Sequence, residues 1–183
     1  MVLRALLCAG LSILALVACT SNSQLPIDLE ALRLSEPLSE AFDFTYLYSD
    51  SAFLKAKMEA PHDIEVHDPV RKEPRHTFDK GFKLVFYSRS GAVESDISSR
   101  RGMLWKRSGL AVAEGTVRLV NQKGELLETE KLYWDRARGQ IYTDAPIKIT
   151  TSKEVIYGTG MESDVQFRHY KVFRTRGILK LGT

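Results

Sequence analysis

Apolar side chains recur at every second position through most of the chain beyond residue 40, and this alternation restricts the fold more than any other feature. Phe42, Phe44, Tyr46 and Tyr48 open the pattern, and Ala52, Leu54, Ala56 and Met58 repeat it before Pro61. Phe82, Leu84 and Phe86 follow, then Val117 and Leu119, then Ile147 and Ile149. A period of two puts alternate side chains on one face of an extended strand, whereas a helix face repeats every 3.6 residues or so. Between the runs stand Ser90-Gly91, Ser108-Gly109, Lys123-Gly124 and Arg138-Gly139, dipeptides that mark tight turns. No stretch beyond residue 40 carries a helical period of useful length. The expected domain is nearly all β.

The units also recur. Phe-Lys-Leu-Val-Phe-Tyr from position 82 leads through Gly91 to Met-Leu-Trp from 103, and Gly-Thr-Val-Arg-Leu-Val from 115 leads through Gly124 to Leu-Tyr-Trp from 132. A third round begins at Ile147 and ends at Tyr157-Gly-Thr-Gly. A spacing of roughly 30 residues indicates stacked strand-turn-strand units rather than a closed barrel. Such a stack ends in unpaired backbone edges, which invite a partner strand unless they are protected. The closing stretch from Lys171 to Thr183 alternates Val172, Arg174, Arg176, Ile178 and Lys180, so it reads either as an edge strand offered to another β-protein or as a charged, frayed terminus.

The first segment has a different character. Arg4 precedes an apolar run from Ala5 to Val17, which stops at Leu16-Val17-Ala18-Cys19. The run falls short of the roughly 18 or more apolar residues of a spanning helix and ends in small residues, as a cleavable signal does. Cysteine directly after Leu-Val-Ala has the form of a bacterial lipobox, which makes Cys19 the expected lipid attachment point; an ordinary or uncleaved signal is the alternative. Cys8 lies inside the run and would leave with it. The expected organisation is a lipoprotein signal peptide over residues 1–18, a lipidated N-terminus and tether over 19–40, and the β domain over 41–183. Two prolines and several serines between 20 and 40 suit a tether.

Catalytic and metal-binding chemistry finds little support. His62, Asp63, Glu65, His67 and Asp68 form the one cluster of metal-like composition, but they lie between Pro61 and Pro69 and read as a solvated loop or edge strand, so no metal is expected. Glu128 with Glu130, and Asp135 with Asp144, look like outward charges on strands rather than acid-base pairs. There is no nucleophile motif, no phosphate-binding glycine loop and no cofactor pattern, so the chain is not expected to be an enzyme. The formal net charge of +3 over 183 residues is too weak to argue for nucleic acid. Arg100-Arg101 and Lys106-Arg107 read as solvated turn residues; with Arg168, Lys171, Arg174 and Arg176 they are also the cations available to lipid phosphates.

The stretch from Ala113 to Asp164 carries a Gly-x-Val strand at Gly115 and Val117 and an Asn-x-x-Gly turn at Asn121 and Gly124. A strand with Leu127, Thr129, Leu132 and Trp134 follows, then Gly158, Gly160 and Glu162. In this order and spacing the chain resembles the OstA-like lipopolysaccharide-transport proteins. Tyr48-Ser-Asp-Ser-Ala-Phe-Leu-Lys-Ala, the Lys80-Gly81-Phe segment and the lipobox make it similar to the LptC branch in a lipoprotein form; the resemblance covers about residues 41–170. It implies an elongated, open β-jelly roll with an apolar groove. It also implies an anchor on the periplasmic face of the inner membrane, the outer membrane not being excluded. The partners implied are lipopolysaccharide through its lipid A acyl chains, an inner-membrane ABC transporter that supplies it, and an LptA-like periplasmic protein met end-on by strand pairing. Two departures are plain: a lipid anchor stands where many members have a transmembrane helix, and Thr20-Ser21 after Cys19 lacks the aspartate that retains some lipoproteins at the inner membrane. The inward residues expected to line the groove are Phe82, Leu84, Phe86, Val117, Leu119, Leu132, Ile147 and Ile149. The same eight would fill a closed core equally well, which leaves a structural envelope-assembly lipoprotein of the same fold, carrying no lipid, as the alternative.

Overall fold

A computed structural model describes residues 37–179. The signal segment, Cys19, most of the tether and the last residues from Lys180 lie outside the described residues. Twelve strands and no helix make up the described chain. They are β1 (Ser39–Asp50), β2 (Phe53–Asp68), β3 (Glu73–Phe78), β4 (Phe82–Tyr87), β5 (Val93–Ser99), β6 (Arg101–Trp105), β7 (Leu110–Asn121), β8 (Leu126–Asp135), β9 (Gln140–Thr150), β10 (Glu154–Asp164), β11 (Tyr170–Val172) and β12 (Arg176–Leu179). All pair antiparallel in one sheet.

Two long strands divide their partners, and this turns one sheet into two facing layers. The first half of β2 pairs with β4 through Ala56–Glu59, and its second half pairs with β3 through Ile64–Asp68. On β7, Leu110–Glu114 pairs with β6, while Arg118–Asn121 pairs with β5. β3 joins β6 in one layer and β4 joins β5 in the other. The long strands crease where they pass between layers. Asp43 turns left-handed (φ 50°) between the Phe42–His62 and Phe44–Ala60 pairs without breaking the register, whereas Gly115 (φ 78°) and Thr116 (φ 50°) break the register of β7 and Gly160 (φ 86°) breaks that of β10. Pro61 and Pro146, which cannot donate to a ladder, sit at the same crease. This is the all-β chain expected from the alternation, in an arrangement consistent with the jelly roll that the resemblance implies.

The core follows the pairing. Tyr46, Met58, Leu84, Ile97, Leu119, Leu127, Ile149 and Ile156 are successive cross-strand partners, forming one inward row through eight strands. In the facing layer the corresponding row runs His76, Leu104, Ala111, Trp134, Ile141, Ser163 and Tyr170. Rings meet between the layers: Phe86 and Trp134 pack edge to face with centroids 5.1 Å apart. The four glycine turns expected from sequence lie between β4 and β5, β6 and β7, β7 and β8, and β8 and β9. Gly91, Gly109, Gly124 and Gly139 all hold positive φ there, between 62° and 84°.

Two expectations give way. Ala52 is not part of a strand: Ser51 (φ 52°) and Ala52 (φ 65°) form the two-residue turn joining β1 to β2. The acidic and histidine-rich stretch after Pro61 is not a solvated loop or an edge. It is the second half of β2, flanked by β1 and β3, with His62, Asp63 and Asp68 buried. Burial is possible because these groups supply most of one another's hydrogen bonds, Asp63 Oδ1 alone among their buried carboxylate and ring atoms being left without a partner among the described residues. The His62 ring sits between Asp79 Oδ1 and Glu40 Oε1, each at 2.6 Å, and His76 Nδ1 lies 2.8 Å from Asp63 Oδ2. Asp68 accepts the Val70 and Arg71 backbone N–H groups and the Trp105 indole N–H. These N–H groups, the Arg71 amide foremost, hold the Asp68 carboxyl below its ordinary range.

Candidate lipid-binding slot

Between the layers lies an apolar slot of about 30 Å³. Tyr46 and Tyr48 of β1 and Met58 of β2 face Leu104, Leu132 and Trp134 across it. A volume near 30 Å³ holds about one or two water-sized spheres and, lined by carbon, stays dry. It holds no acyl chain, so one could enter only if the layers part.

Two wider clefts adjoin the slot. Phe82 is shared with a cleft of about 560 Å³ that also touches Phe44, Pro61 and Lys83. Tyr48 and Trp134 are shared with a cleft of about 330 Å³ that includes Phe86, Arg89 and Arg136. Phe82 closes its end of the slot because Gly102 has no side chain. A Cβ built there would come within 2.4 Å of the Phe82 ring and 3.1 Å of Phe78. Cations lie over the β1 tyrosines: Lys106 Nζ is 5.7 Å from the Tyr46 ring centroid, and the Arg136 guanidinium carbon 5.1 Å from that of Tyr48.

The structure divides the eight expected groove residues. Phe82, Leu84 and Leu132 line the slot, and Phe86 lines the cleft at Trp134. Val117, Leu119, Ile147 and Ile149 lie deeper in the same core cluster, between 0% and 4% exposed, and border none of these spaces. Sequence reasoning passed over Tyr46, Tyr48, Met58, Met103 and Trp134, all of which line the slot. The signal for the tyrosines was present in the Phe42-to-Tyr48 alternation. Met103 and Trp134 face the slot only because β6 and β8 come to lie opposite β1, which no local pattern records.

The outward charges serve the sheet. Glu128 pairs with Lys148 at 2.9 Å and Arg118 at 3.6 Å, Asp135 accepts the Arg138 backbone N–H, and Glu130 lies 3.3 Å from the Thr116 N–H that it accepts. The Lys131 ammonium donates to Glu114 and to Tyr133, and these bonds hold it firmly charged. Among the described residues no group of three or more His, Cys, Asp or Glu has the arrangement to hold a metal ion. The C-terminal stretch takes an edge position: β11 and β12 both pair with β10, bridged across the Gly160 bulge by mutual backbone bonds between Phe173 and the Thr159–Gly160 segment. Arg168, Lys171, Arg174 and Arg176 are exposed along it.

Comparison with protein families gives a match to the model described as lipopolysaccharide-assembly, LptC-related, over residues 5–175. Comparison with curated proteins gives no match.

Proposed function

Since the chain belongs to the LptC-related family of lipopolysaccharide-assembly proteins, a non-enzymatic component of lipopolysaccharide transport in the cell envelope, we propose that it takes lipopolysaccharide from an inner-membrane ABC transporter and passes it to an LptA-like periplasmic bridge. The observation that carries this reading is the slot: an apolar space between two layers, lined by β1 on one side and adjoined by a cleft at each end. Burying a methylene is worth about 0.8 kcal/mol, so a lipid A chain of about twelve to fourteen carbons would cost on the order of 10 kcal/mol bare in water. A carrier must therefore exchange bilayer for protein at little net cost. Parting the layers to seat the chain between Leu84 and Leu132 would do that, with direction supplied by the ATP-driven partner. The β11–β12 edge is the surface we assign to strand pairing with the bridge, and Cys19 the lipid attachment point on the periplasmic face of the inner membrane.

One observation favours the alternative of an assembly scaffold that carries no lipid. The interior is nearly filled, with Leu119, Leu127 and Ile149 fully buried and only about 30 Å³ left in the slot. In-cell photocrosslinking separates the two. A photoreactive side chain at Leu84 or Leu132 should give lipopolysaccharide adducts, and one at the outward Arg118 should not. A folded, anchored protein with no adduct at either inward site would leave the scaffold.

A further inference from the structure

We infer that the cleft at Trp134 is the polar-head subsite of the slot, binding a phosphate together with the acyl-linked carbonyl or hydroxyl of the same lipid, so that chains run from Trp134 toward Phe82; this rests on the carrier reading above. Three observations converge there. First, Tyr48 and Trp134 line both the slot and this cleft, so a ligand seated in the cleft can send a chain into the slot when the layers part. Second, the cleft is lined by Lys55, Arg89 and Arg136 against Asp50 and Glu94. None of the three cations has an ion-pair partner among the described residues. The two arginines lie over aromatic rings instead, Arg136 on Tyr48 and Arg89 on Phe53 at 4.6 Å, and the Lys106 carbonyl accepts from Arg136 Nη2 at 2.8 Å. A guanidinium held on a ring keeps donors free for phosphate oxygens, those of Arg136 being the ones not given to Lys106.

Third, Trp134 is 9% exposed, yet its indole N–H is buried with no acceptor among the described residues. The other tryptophan shows the ordinary arrangement, with Trp105 Nε1 donating to Asp68 at 2.8 Å. Buried donors are nearly always satisfied, so a vacant one beside an apolar slot points to an acceptor that arrives with the ligand. An ester or amide carbonyl at the root of an acyl chain is such an acceptor. The opposite cleft lacks this combination. Its two cations, Lys80 and Lys83, are equalled in number by the carboxylates of Asp43 and Glu59, no arginine lines it, and no unpartnered buried donor does either.

The test measures binding to the full chain in neutral maltoside micelles, by competition against a fluorescent lipid A probe. Competitors are diphosphoryl lipid A, monophosphoryl lipid A and inorganic phosphate. Trp134→Phe keeps an aromatic side chain, though a smaller one, and removes the donor, and should weaken both lipids by about threefold to tenfold. Arg89→Gln with Arg136→Gln should weaken both phosphorylated lipids about tenfold. Inorganic phosphate should not compete in the millimolar range, since it brings no chain. If phosphate alone displaces the probe as well as lipid A does, the site is one for free anions and the inference fails. Variants that bind both lipids as the unchanged protein does would overturn the subsite while leaving the carrier reading standing. If the unchanged protein binds no lipid A, the carrier reading falls and takes the subsite with it.

Discussion

The two ends of the inward row differ in how they are filled. At Leu119, Leu127 and Ile149, on β7, β8 and β9, neighbouring strands run side by side and every side chain is wholly buried. At Tyr46, Met58 and Leu84 the same row borders the slot, and the wall beyond it is β1, an outer strand that pairs only with β2 among the described residues. One end is therefore a core in which each methylene has partners on all sides. The other is a seam held by half-buried rings and by cations lying over them. A protein that must be both stable and able to part needs the two properties in different places, and this sheet supplies them along one row.

Truncation at the filled end should have the largest effect. Leu127→Ala leaves a cavity in a fully buried region that borders neither the slot nor its two clefts, and should cost about 3 kcal/mol. Met103→Ala, half-buried and already on the slot, should cost about 1 kcal/mol, because the removed atoms border a space that exists. Urea unfolding of both variants, with unchanged slope, measures the difference. Equal losses would erase the distinction between core and seam.

Gly102→Ala acts on the seam from the other direction. The new methyl would overlap the Phe82 ring, and overpacking of this kind costs about 1–3 kcal/mol. Since the clash is with the far end of one side chain, Phe82→Ala should relieve most of it. The double variant should then be more stable than the sum of the two single losses implies, and a strictly additive result would mean that Phe82 does not close the slot.

How far this arrangement was legible in the sequence depends on whether a feature is local. The strand faces and the four glycine turns were legible, because alternation fixes a face and because glycine alone enters the left-handed region without steric cost. The Ser51-Ala52 turn was not, since neither residue type advertises positive φ. The stretch from His62 to Asp68 was misread because its polarity suggests solvent. Its burial depends on Glu40, His76 with Asp79, and Trp105, from three separate parts of the chain. The eight expected groove residues shared one pattern, and only the pairing of β1 opposite β6 and β8 separates those at the slot from those in the filled core.

The same polar cluster predicts how the β1 side responds to pH. Hydrogen bonds to Glu40 and then Asp79 raise the His62 pKa above its ordinary 6.5, and the His62 bond lowers that of Asp79 below 3.8. The histidine's contribution is complete below its unfolded value and is lost as pH rises through the raised folded value. The aspartate's is present above its unfolded value and is lost as pH falls through the depressed one. The pair therefore ties Glu40 on β1 to β2 and to the segment after β3 most firmly between about pH 4 and 6.5. The Tm difference between the unchanged protein and His62→Gln should be largest near pH 5–6 and shrink toward pH 9. A difference that stays flat across this range would mean that the ring's packing against Phe42, 4.9 Å away, is what matters.

The smallest expected effect falls on the turn that holds β1 to β2. Ser51 and Ala52 both occupy the left-handed region, where an L residue with a Cβ is strained and where Asn-Gly fits the same two-residue hairpin. Replacing Ser51-Ala52 with Asn-Gly should stabilise the hairpin by about 0.5–1 kcal/mol. Because β1 is the wall of the seam, that gain should appear locally before it appears globally. Amide exchange should slow along Phe44–Tyr48 while the amides of β8 and β9 stay unchanged. A carrier whose slot opens by release of β1 would then load lipid more slowly although it is the more stable protein. Equal slowing in both regions would show that β1 parts only when the whole sheet unfolds, and the seam would be part of the core.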